Sequence, residues 1–140
     1  MAIIQTQTTI FKQNLLNGLE NFGVGTPYTY KIALYNANAN LDNTTTVYSS
    51  TNEVISNGYV AGGKALVIIP PSSSGSTAFW SFNNVVWTNV RFTCRGALIY
   101  NSTTQAAVAV LNFGSDKYAG PNFNISFPSD TATNAVLRIS

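Results

Sequence analysis

Few residues of this 140-residue chain are suited to acid–base, nucleophilic or metal chemistry. There is no histidine, which removes the commonest general base and transition-metal ligand. A catalytic pair of carboxylates would have to come from five acidic residues, which are widely scattered along the chain. Scattered acids in predicted loops and strand ends are typical of solubilising side chains; they are Glu20, Asp42, Glu53, Asp116 and Asp130. The sequence therefore predicts no catalytic residue, no metal site and no cofactor site, and we expect a protein that is not an enzyme.

Cys94 is the single thiol of the chain and its one soft nucleophile. One cysteine can form neither an internal disulfide nor a cysteine-rich zinc site. By strand alternation Cys94 shares an apolar face with Val90 and Phe92, whereas Arg95 lies on the other face. Because no histidine can activate it, we predict a buried and chemically inactive thiol.

Two motifs match parts of known ligand-binding loops. Asn36, Asn38, Asn40 and Asp42 alternate as oxygen ligands would, but calcium sites usually need several carboxylates. Gly62-Gly63-Lys64 matches part of a phosphate-binding loop and lacks the rest of the pattern. We interpret both as turns.

Seventeen aromatic residues are the remaining candidates for a binding surface. They could stack on sugar rings, but the same residue types fill the core of a β-sandwich. We favour the core and keep a glycan-binding module as an alternative. An uncharged surface with aromatic residues also suits protein–protein packing. The residues weighed in this way are Trp80, Trp87, Tyr28, Tyr30, Tyr35, Tyr48, Tyr59, Tyr100 and Tyr118.

The elements that must position these residues are predicted to be β-strands. From Tyr28 onward apolar residues alternate with polar ones, which is the period of a half-buried strand. Short strand patterns recur at intervals of about 8–12 residues between turn signals, and this spacing favours an all-β, antiparallel, jelly-roll-like sandwich. The further strands are Thr45–Ser49, Glu53–Ser56, Lys64–Ile69, Thr77–Phe82, Val85–Cys94, Ala97–Tyr100, Ala106–Phe113, Phe123–Phe127 and Ala135–Ile139.

One short helix is predicted over Ile10–Phe22, capped by Thr8 or Thr9 and ended by Gly23 and Gly25. Its apolar stripe consists of Phe11, Leu15, Leu16 and Leu19. Residues 1–9 before it form an extended arm with no obvious partner in the chain. Such an arm can pair with the sheet edge of a neighbouring subunit, or it is a frayed terminus.

We expect a single domain over residues 1–140, with the strands in residues 28–139. Pro70–Ser76 is predicted to be a mobile loop and Asp116-Lys117 a hairpin tip. Ala106–Leu111 is apolar on both faces, which indicates a central strand or one covered by the helix or by another subunit.

Composition also limits the partners. Only 9% of the residues are charged, against about 25% in ordinary soluble proteins. No basic run suggests a nucleic-acid partner, no apolar stretch approaches the roughly 20 residues that span a membrane, and the N-terminus lacks a secretory pattern.

The order of segments carries a family resemblance. The chain runs from FKQNLLNGLENF (Phe11–Phe22) through a Tyr-rich strand region to WSFNNVVWTNVRFTCRGALIYNSTTQAAVAVLNFGSDK (Trp80–Lys117) and a closing FNISFPSDTATNAVLRIS (Phe123–Ser140). This order resembles a family of small virion proteins of tailed bacteriophages that includes capsid cement, or decoration, proteins. Val47–Gly63 and Arg95–Lys117 carry it best.

The resemblance implies a sandwich bound outside an icosahedral shell, where it bridges capsid subunits and stabilises them. The expected partners are the major capsid protein and further copies of this chain in a dimer or trimer. The protein would be made in the host bacterial cytoplasm and reside on the capsid surface of the virion. Alternatives are a tail or baseplate component of the same virion and the glycan-binding module. The family has no compact catalytic motif, so no site residue follows from it.

Overall fold

The computed structural model describes residues 2–128, 131 and 136–139, and its architecture is mostly β. The predicted all-β, antiparallel, sandwich-like fold with one short helix is confirmed. Asp130 and Ala135 lie outside the described residues. In chain order the elements are β1 Thr6–Gln7, α1 Thr9–Leu16, β2 Tyr30–Tyr35, β3 Lys64–Ala65, β4 Ile68–Ser74, β5 Thr77–Phe82, β6 Val85–Trp87, β7 Phe92–Asn101, β8 Ala107–Ala119, β9 Phe123–Ile125 and β10 Leu137–Ile139.

Three antiparallel sheets build the molecule. The largest has five strands in the order β1-β8-β7-β2-β3, and two smaller sheets have the orders β10-β5-β4 and β6-β9. The long pair β7 and β8 forms the centre of the large sheet, with Leu98 opposite Val110. On the other side of β7, Tyr30 of β2 lies opposite Asn101. The large sheet therefore pairs strands that lie far apart in the sequence.

Apolar clusters cover both faces of the large sheet. The first joins its inner face to α1 and the smaller sheets, and Ile32, Ile99 and Trp80 belong to it. The second lies on the opposite face, where Ile3 and Leu41 cover the sheet. This arrangement explains the segment Ala106–Leu111: Val108 packs in the first cluster, while Ala107 and Val110 pack in the second.

The helix is shorter than predicted. Thr8 caps it as expected, because its Oγ1 accepts a hydrogen bond from the Phe11 N–H at 3.2 Å. The helix ends at Leu16, however, not at Phe22. Gly18 adopts a left-handed φ of 73°, the Leu19 N–H donates to the Asn14 carbonyl at 2.8 Å and the Gly18 N–H to that of Leu15 at 3.3 Å. Gly18 is thus the residue that ends the helix, in a Schellman motif.

The predicted apolar stripe of the helix is wrong in its second half. Phe11 is buried, but Leu16 is 88% exposed and Leu19 is 50% exposed. The early end of the helix changes the direction of the chain, so the spacing that would place Leu19 beneath Leu15 no longer applies.

The prediction that residues 1–9 have no partner in the chain is also wrong. Thr6 and Gln7 pair with Val110 and Ala109 at the outer edge of β8. Ile3 is buried, and the Ile4 N–H donates to the Leu41 carbonyl at 2.9 Å. The arm closes an edge of its own sheet.

Several predicted strands change in extent. Thr45–Ser49 and Glu53–Ser56 contribute isolated bridges without becoming strands. Lys64–Ile69 is divided between β3 and β4, and Val85–Cys94 is divided between β6 and β7, where Asn89 adopts a φ of 55°. Ala97–Tyr100 lies within β7.

Two predicted turns lie within strands. Pro70–Ser76 is not a mobile loop, because β4 continues to Ser74. Its prolines lie at a register shift between Ile69 and Ser72 on an edge strand, where a missing N–H is tolerated. Asp116-Lys117 is not a hairpin tip either: between the pairs Cys94–Lys117 and Gly96–Asn112, one residue of β7 faces four of β8, so the turn signal marks a bulge.

Candidate functional site

The chief candidate site is an apolar cleft of about 300 Å³. It lies between the segment that follows α1 and the sheet formed by β4, β5 and β10. Leu15, near the end of α1, and Phe22, in the segment that follows, line one side of the cleft. Trp80 and Leu137 line the side formed by the sheet. Among the described residues that line this cleft, Glu20 is the only ionisable one. We call this pocket the Glu20 cleft.

Glu20 is placed by the chain reversal at Gly18 and is only 6% exposed. Its Oε1 accepts two hydrogen bonds, from the Tyr30 hydroxyl and from Nδ2 of Asn101, each at 2.9 Å. Its Oε2 is buried and accepts no hydrogen bond from any described residue. The carboxyl group is therefore half satisfied, an unusual state for a buried polar group.

Burial raises the pKa of the Glu20 carboxyl, since a charge is costly in a poorly hydrated place. The side chains of Asn101, Tyr30 and Asn14 oppose this effect and lower the pKa by stabilising the charged form. Burial also raises the pKa of Tyr30 far above its usual value, so this hydroxyl stays protonated and remains a donor. The site thus holds a carboxyl group whose charged form lacks compensation at Oε2.

Stacked aromatic rings form the inner wall of the Glu20 cleft. The ring of Phe22 lies between those of Tyr30 and Trp80, with centroid distances of 4.5 Å and 4.1 Å. Phe11 and Phe82 contact Phe22 edge-on. Such interlocked rings hold the wall rigid and present aromatic surface beside the carboxyl group.

Exposed apolar side chains lie next to the cleft in the chain. Leu16, Leu19 and Val24 neighbour its lining residues, and Val24 is 90% exposed. Ile139 lines the cleft from β10 and is itself exposed. We call these four residues the apolar rim. Exposed apolar side chains next in sequence to cleft residues are the candidates for a surface that binds another molecule.

The second buried carboxylate, Glu53, is fully satisfied. Oε1 accepts from the Tyr48 hydroxyl at 2.5 Å, and Oε2 accepts from the Tyr59 hydroxyl at 2.5 Å and the Gly62 N–H at 2.8 Å. The Tyr100 hydroxyl donates to the Gly62 carbonyl in the same network. Glu53 therefore holds the loop over the second apolar cluster in place, which is a structural task.

The interpretation of the acids as solubilising side chains is wrong for Glu20 and Glu53, both of which are buried. It fits Asp42, which is at the surface and accepts hydrogen bonds from the N–H and hydroxyl of Thr44. Those bonds lower the pKa of Asp42. Asp116 pairs with Arg95 at 2.9 Å. The structure brings no two of the acids it describes into a shared site.

Cys94 is buried, as predicted. Burial is the main cause that raises its pKa to about 12, and the charge of Asp116 adds to the effect. The core interpretation of the aromatic residues is confirmed for Trp80 and Trp87, which are both buried. Tyr118 is the exception, at 80% exposed.

Comparison with known proteins gives no relatives: no family model, curated protein or solved structure matches the chain. Within the described ranges, no three His, Cys, Asp or Glu residues gather as metal ligands. The same part of the chain contains no helix that is long and apolar enough to cross a membrane. Function must therefore be inferred from the Glu20 cleft and its rim.

Proposed function

We propose that this chain is a non-enzymatic structural protein of a phage virion, which binds the outside of the capsid at subunit junctions and stabilises the shell. The observation that carries the proposal is the apolar cleft with its exposed apolar rim on a surface poor in charge. The residue-level resemblance of Val47–Gly63 and Arg95–Lys117 to phage virion proteins supplies the setting. The major capsid protein is the proposed partner, and self-association into a dimer or trimer is part of the proposal.

The cleft suits binding better than catalysis. Acid–base catalysis by carboxyl groups usually needs a pair with different pKa values, and Glu20 has no second acid beside it among the described lining residues. An apolar surface with little charge matches the central part of protein–protein interfaces. Docking of capsid side chains into the cleft and over Leu16 and Val24 would bury apolar area that is now in water.

The glycan-binding alternative loses support from the position of the tryptophans. Trp80 and Trp87 pack inside the sandwich, so neither presents a ring face to a sugar at the surface. Retention on a glycan array would nevertheless contradict the proposal directly.

The test mixes the purified chain with isolated DNA-filled heads and, separately, with isolated tails. We expect many copies to sediment with heads in about 1 M NaCl, because apolar contacts do not weaken as salt screens charges. The double variant Leu16→Ser, Val24→Ser should lose binding. Ile55→Ser is the matched control, since Ile55 is 98% exposed and does not line the cleft.

Three results would overturn the proposal. Binding to tails and not heads would identify a tail component. Complete release from heads in high salt would reject the apolar contact. Equal loss of binding in the Ile55→Ser control would show that the cleft and rim are not the docking surface.

A further inference from the structure

Oε2 of Glu20 has no hydrogen-bond donor in the part of the protein that the structure describes. A buried acceptor without a donor costs free energy, and the cost is greatest when the group is charged. By distance and angle, the described residues give Oε1 two donors and give Oε2 none; the Asn14 side chain lowers the pKa but makes no hydrogen bond of normal geometry to Oε2. Oε2 has almost no accessible surface in the free protein, so the carboxyl group must turn toward the cleft before a ligand can bring a donor to Oε2 and recover this cost.

The walls of the cleft define the rest of the ligand. Leu15, Phe79 and Leu137 provide apolar surface, which favours a hydrocarbon body. Phe22 and Trp80 also line the cleft; because they stack on each other, they add apolar surface to its wall. The matching ligand has an apolar stem and a cationic donor at its tip.

We propose that the Glu20 cleft receives a lysine side chain of the partner protein, with the four-carbon stem against the apolar walls and the ammonium group at Oε2 of Glu20. The identity of the partner as a capsid subunit rests on the proposed function. The chemistry of the ligand rests on the cleft.

Lysine fits this site better than arginine does. A guanidinium group pairs best with both oxygens of a carboxylate at once. Oε1 of Glu20 already accepts two hydrogen bonds, so a single oxygen is free. An ammonium group is a compact point charge that needs one oxygen, and its stem packs against apolar surface.

Binding must be linked to pH. The side chains that shift the pKa of Glu20 are Asn101, Tyr30 and Asn14, and none of these is charged at neutral pH. A bound ammonium would favour the ionised carboxylate, because opposite charges at close range attract. Affinity should rise with pH through the raised pKa of the free protein and level off above it.

The experiment titrates the full chain with Nα-acetyl-lysine N-methylamide at about pH 8, where the ammonium group is charged. The readout is the pair of indole N–H signals in a ¹H–¹⁵N NMR spectrum. We expect saturable movement of the Trp80 signal, because Trp80 lines the cleft, and a fixed Trp87 signal, because Trp87 does not. The matching norleucine derivative, which lacks the ammonium group, should bind at least about tenfold more weakly.

Two variants complete the test. Glu20→Gln keeps the shape and the Oε1 acceptor but removes the charge, so it should weaken binding about tenfold or more and abolish its pH dependence. Asp42→Asn removes an equal charge at the surface and should leave binding unchanged. Ala78→Phe places a ring at the lining of the cleft and should block the probe.

No movement of the Trp80 signal, or equal affinity of the wild type and Glu20→Gln, would overturn the inference. Head binding distinguishes this failure from that of the proposed function. A chain that binds heads but not the lysine probe refutes the lysine site, whereas one that binds the probe but not heads refutes the virion function.

Discussion

Glu20 and Glu53 are both buried carboxylates, but they differ in how many of their oxygens accept hydrogen bonds. Glu53 has donors for both oxygens, two of them tyrosine hydroxyls. Glu20 has donors for one oxygen only within the described structure. A carboxyl group kept buried without full compensation lowers stability, which is a cost often seen where a group serves binding.

The first prediction concerns the pH dependence that Glu20 imposes. Its folded pKa is raised above the ordinary value of 4.5, so the folded state binds the proton more tightly than the unfolded state does. The stabilising contribution is present below the unfolded pKa and is lost as pH rises through the folded pKa. Glu20→Gln cannot ionise and should escape this loss.

Urea unfolding of both proteins at about pH 4 and about pH 8 measures the effect. The stability of Glu20→Gln relative to the wild type should increase between the two pH values. Asp42→Asn should not show this increase, because the pKa of Asp42 is lowered. A constant difference between Glu20→Gln and wild type would contradict the raised pKa.

The second prediction is that Cys94 reacts slowly in the native protein. Its pKa of about 12 leaves very little thiolate at neutral pH, and the side chain is buried. Labelling by a disulfide reagent should be slow in buffer and fast in denaturant. Native labelling at the denatured rate would disprove burial.

The burial of Cys94 could be predicted from the sequence, whereas the burial of Glu20 could not. The burial of Cys94 could be predicted because Phe92 and Val90, two and four positions before it, share its place in the apolar alternation. The burial of Glu20 could not, because its partners Tyr30 and Asn101 are 10 and 81 positions away. Only the folded sheet brings them to the carboxyl group.

At the scale of elements, Thr8 both begins α1 and connects it to the large sheet. Thr8 begins the helix with a side-chain hydrogen bond, and its hydroxyl also lies 3.1 Å from the Ala107 carbonyl in β8. The Thr8 N–H donates to Val108 of the same strand. The cap is therefore also the joint between helix and sheet.

The third prediction follows from this joint. Thr8→Ala should reduce the free energy of unfolding by about 1–2 kcal/mol, since the cap and a buried hydrogen bond are lost. Thr9→Ala should cost less than about 0.5 kcal/mol, because Thr9 is an exposed position of the first turn. Chemical denaturation gives both values. Equal losses would mean that Thr8 is not the cap.

The fourth prediction concerns Gly63, which precedes β3. Its φ is 83°, and a Cβ atom there would lie 1.9 Å from the carbonyl oxygen of Ile32 in β2. Gly63→Ala should therefore cost about 3 kcal/mol or more, because backbone must move as well as adopt a strained φ. Gly75→Ala is the control: its φ is also positive, but no atom lies within 4 Å.

Gly75→Ala should lower the free energy of unfolding by about 1 kcal/mol, because the substitution strains the backbone φ but causes no clash. Thermal unfolding of the two variants compares them directly. Similar midpoints would contradict the close approach of Gly63 to β2.

Alternation located most of the strands but not their ends. Thr77–Phe82 was predicted with the bounds that the structure has, because turns with glycine and asparagine flank it. Val85–Cys94 was predicted as one strand because nothing local marks Asn89 as left-handed. Pro70 and Pro71 favoured a loop, and only an edge strand with a register shift accommodates them. Pairing between distant strands decides such cases.

At the scale of the molecule, the fifth prediction concerns the N-terminal segment. Removal of residues 2–7 should lower the free energy of unfolding by about 3 kcal/mol, because the buried Ile3 side chain and the β1 pairing are lost. It also uncovers the edge of β8 at Ala109 and Val110. Such an edge can pair with another chain, so the shortened protein should aggregate on storage.

Light scattering and urea unfolding test this prediction. Ala2→Ser is the control and should change neither measurement, because the Ala2 side chain is exposed and the substitution keeps the hydrogen bond from the Leu41 N–H to the Ala2 carbonyl. A shortened protein that keeps the stability and the oligomeric state of the full chain would mean that the terminal pairing contributes nothing.

The pairing of Tyr30 with Asn101, and of Thr6 with Val110, also sets the order of events during synthesis. The ribosome makes β1 and β2 early and their partners β8 and β7 much later. At about 5–20 residues per second, β2 waits several seconds for β7 to be translated. The large sheet cannot close before then, so we expect the nascent chain to expose its apolar strands to chaperones until β7 and β8 have been made, and we expect folding to be slow.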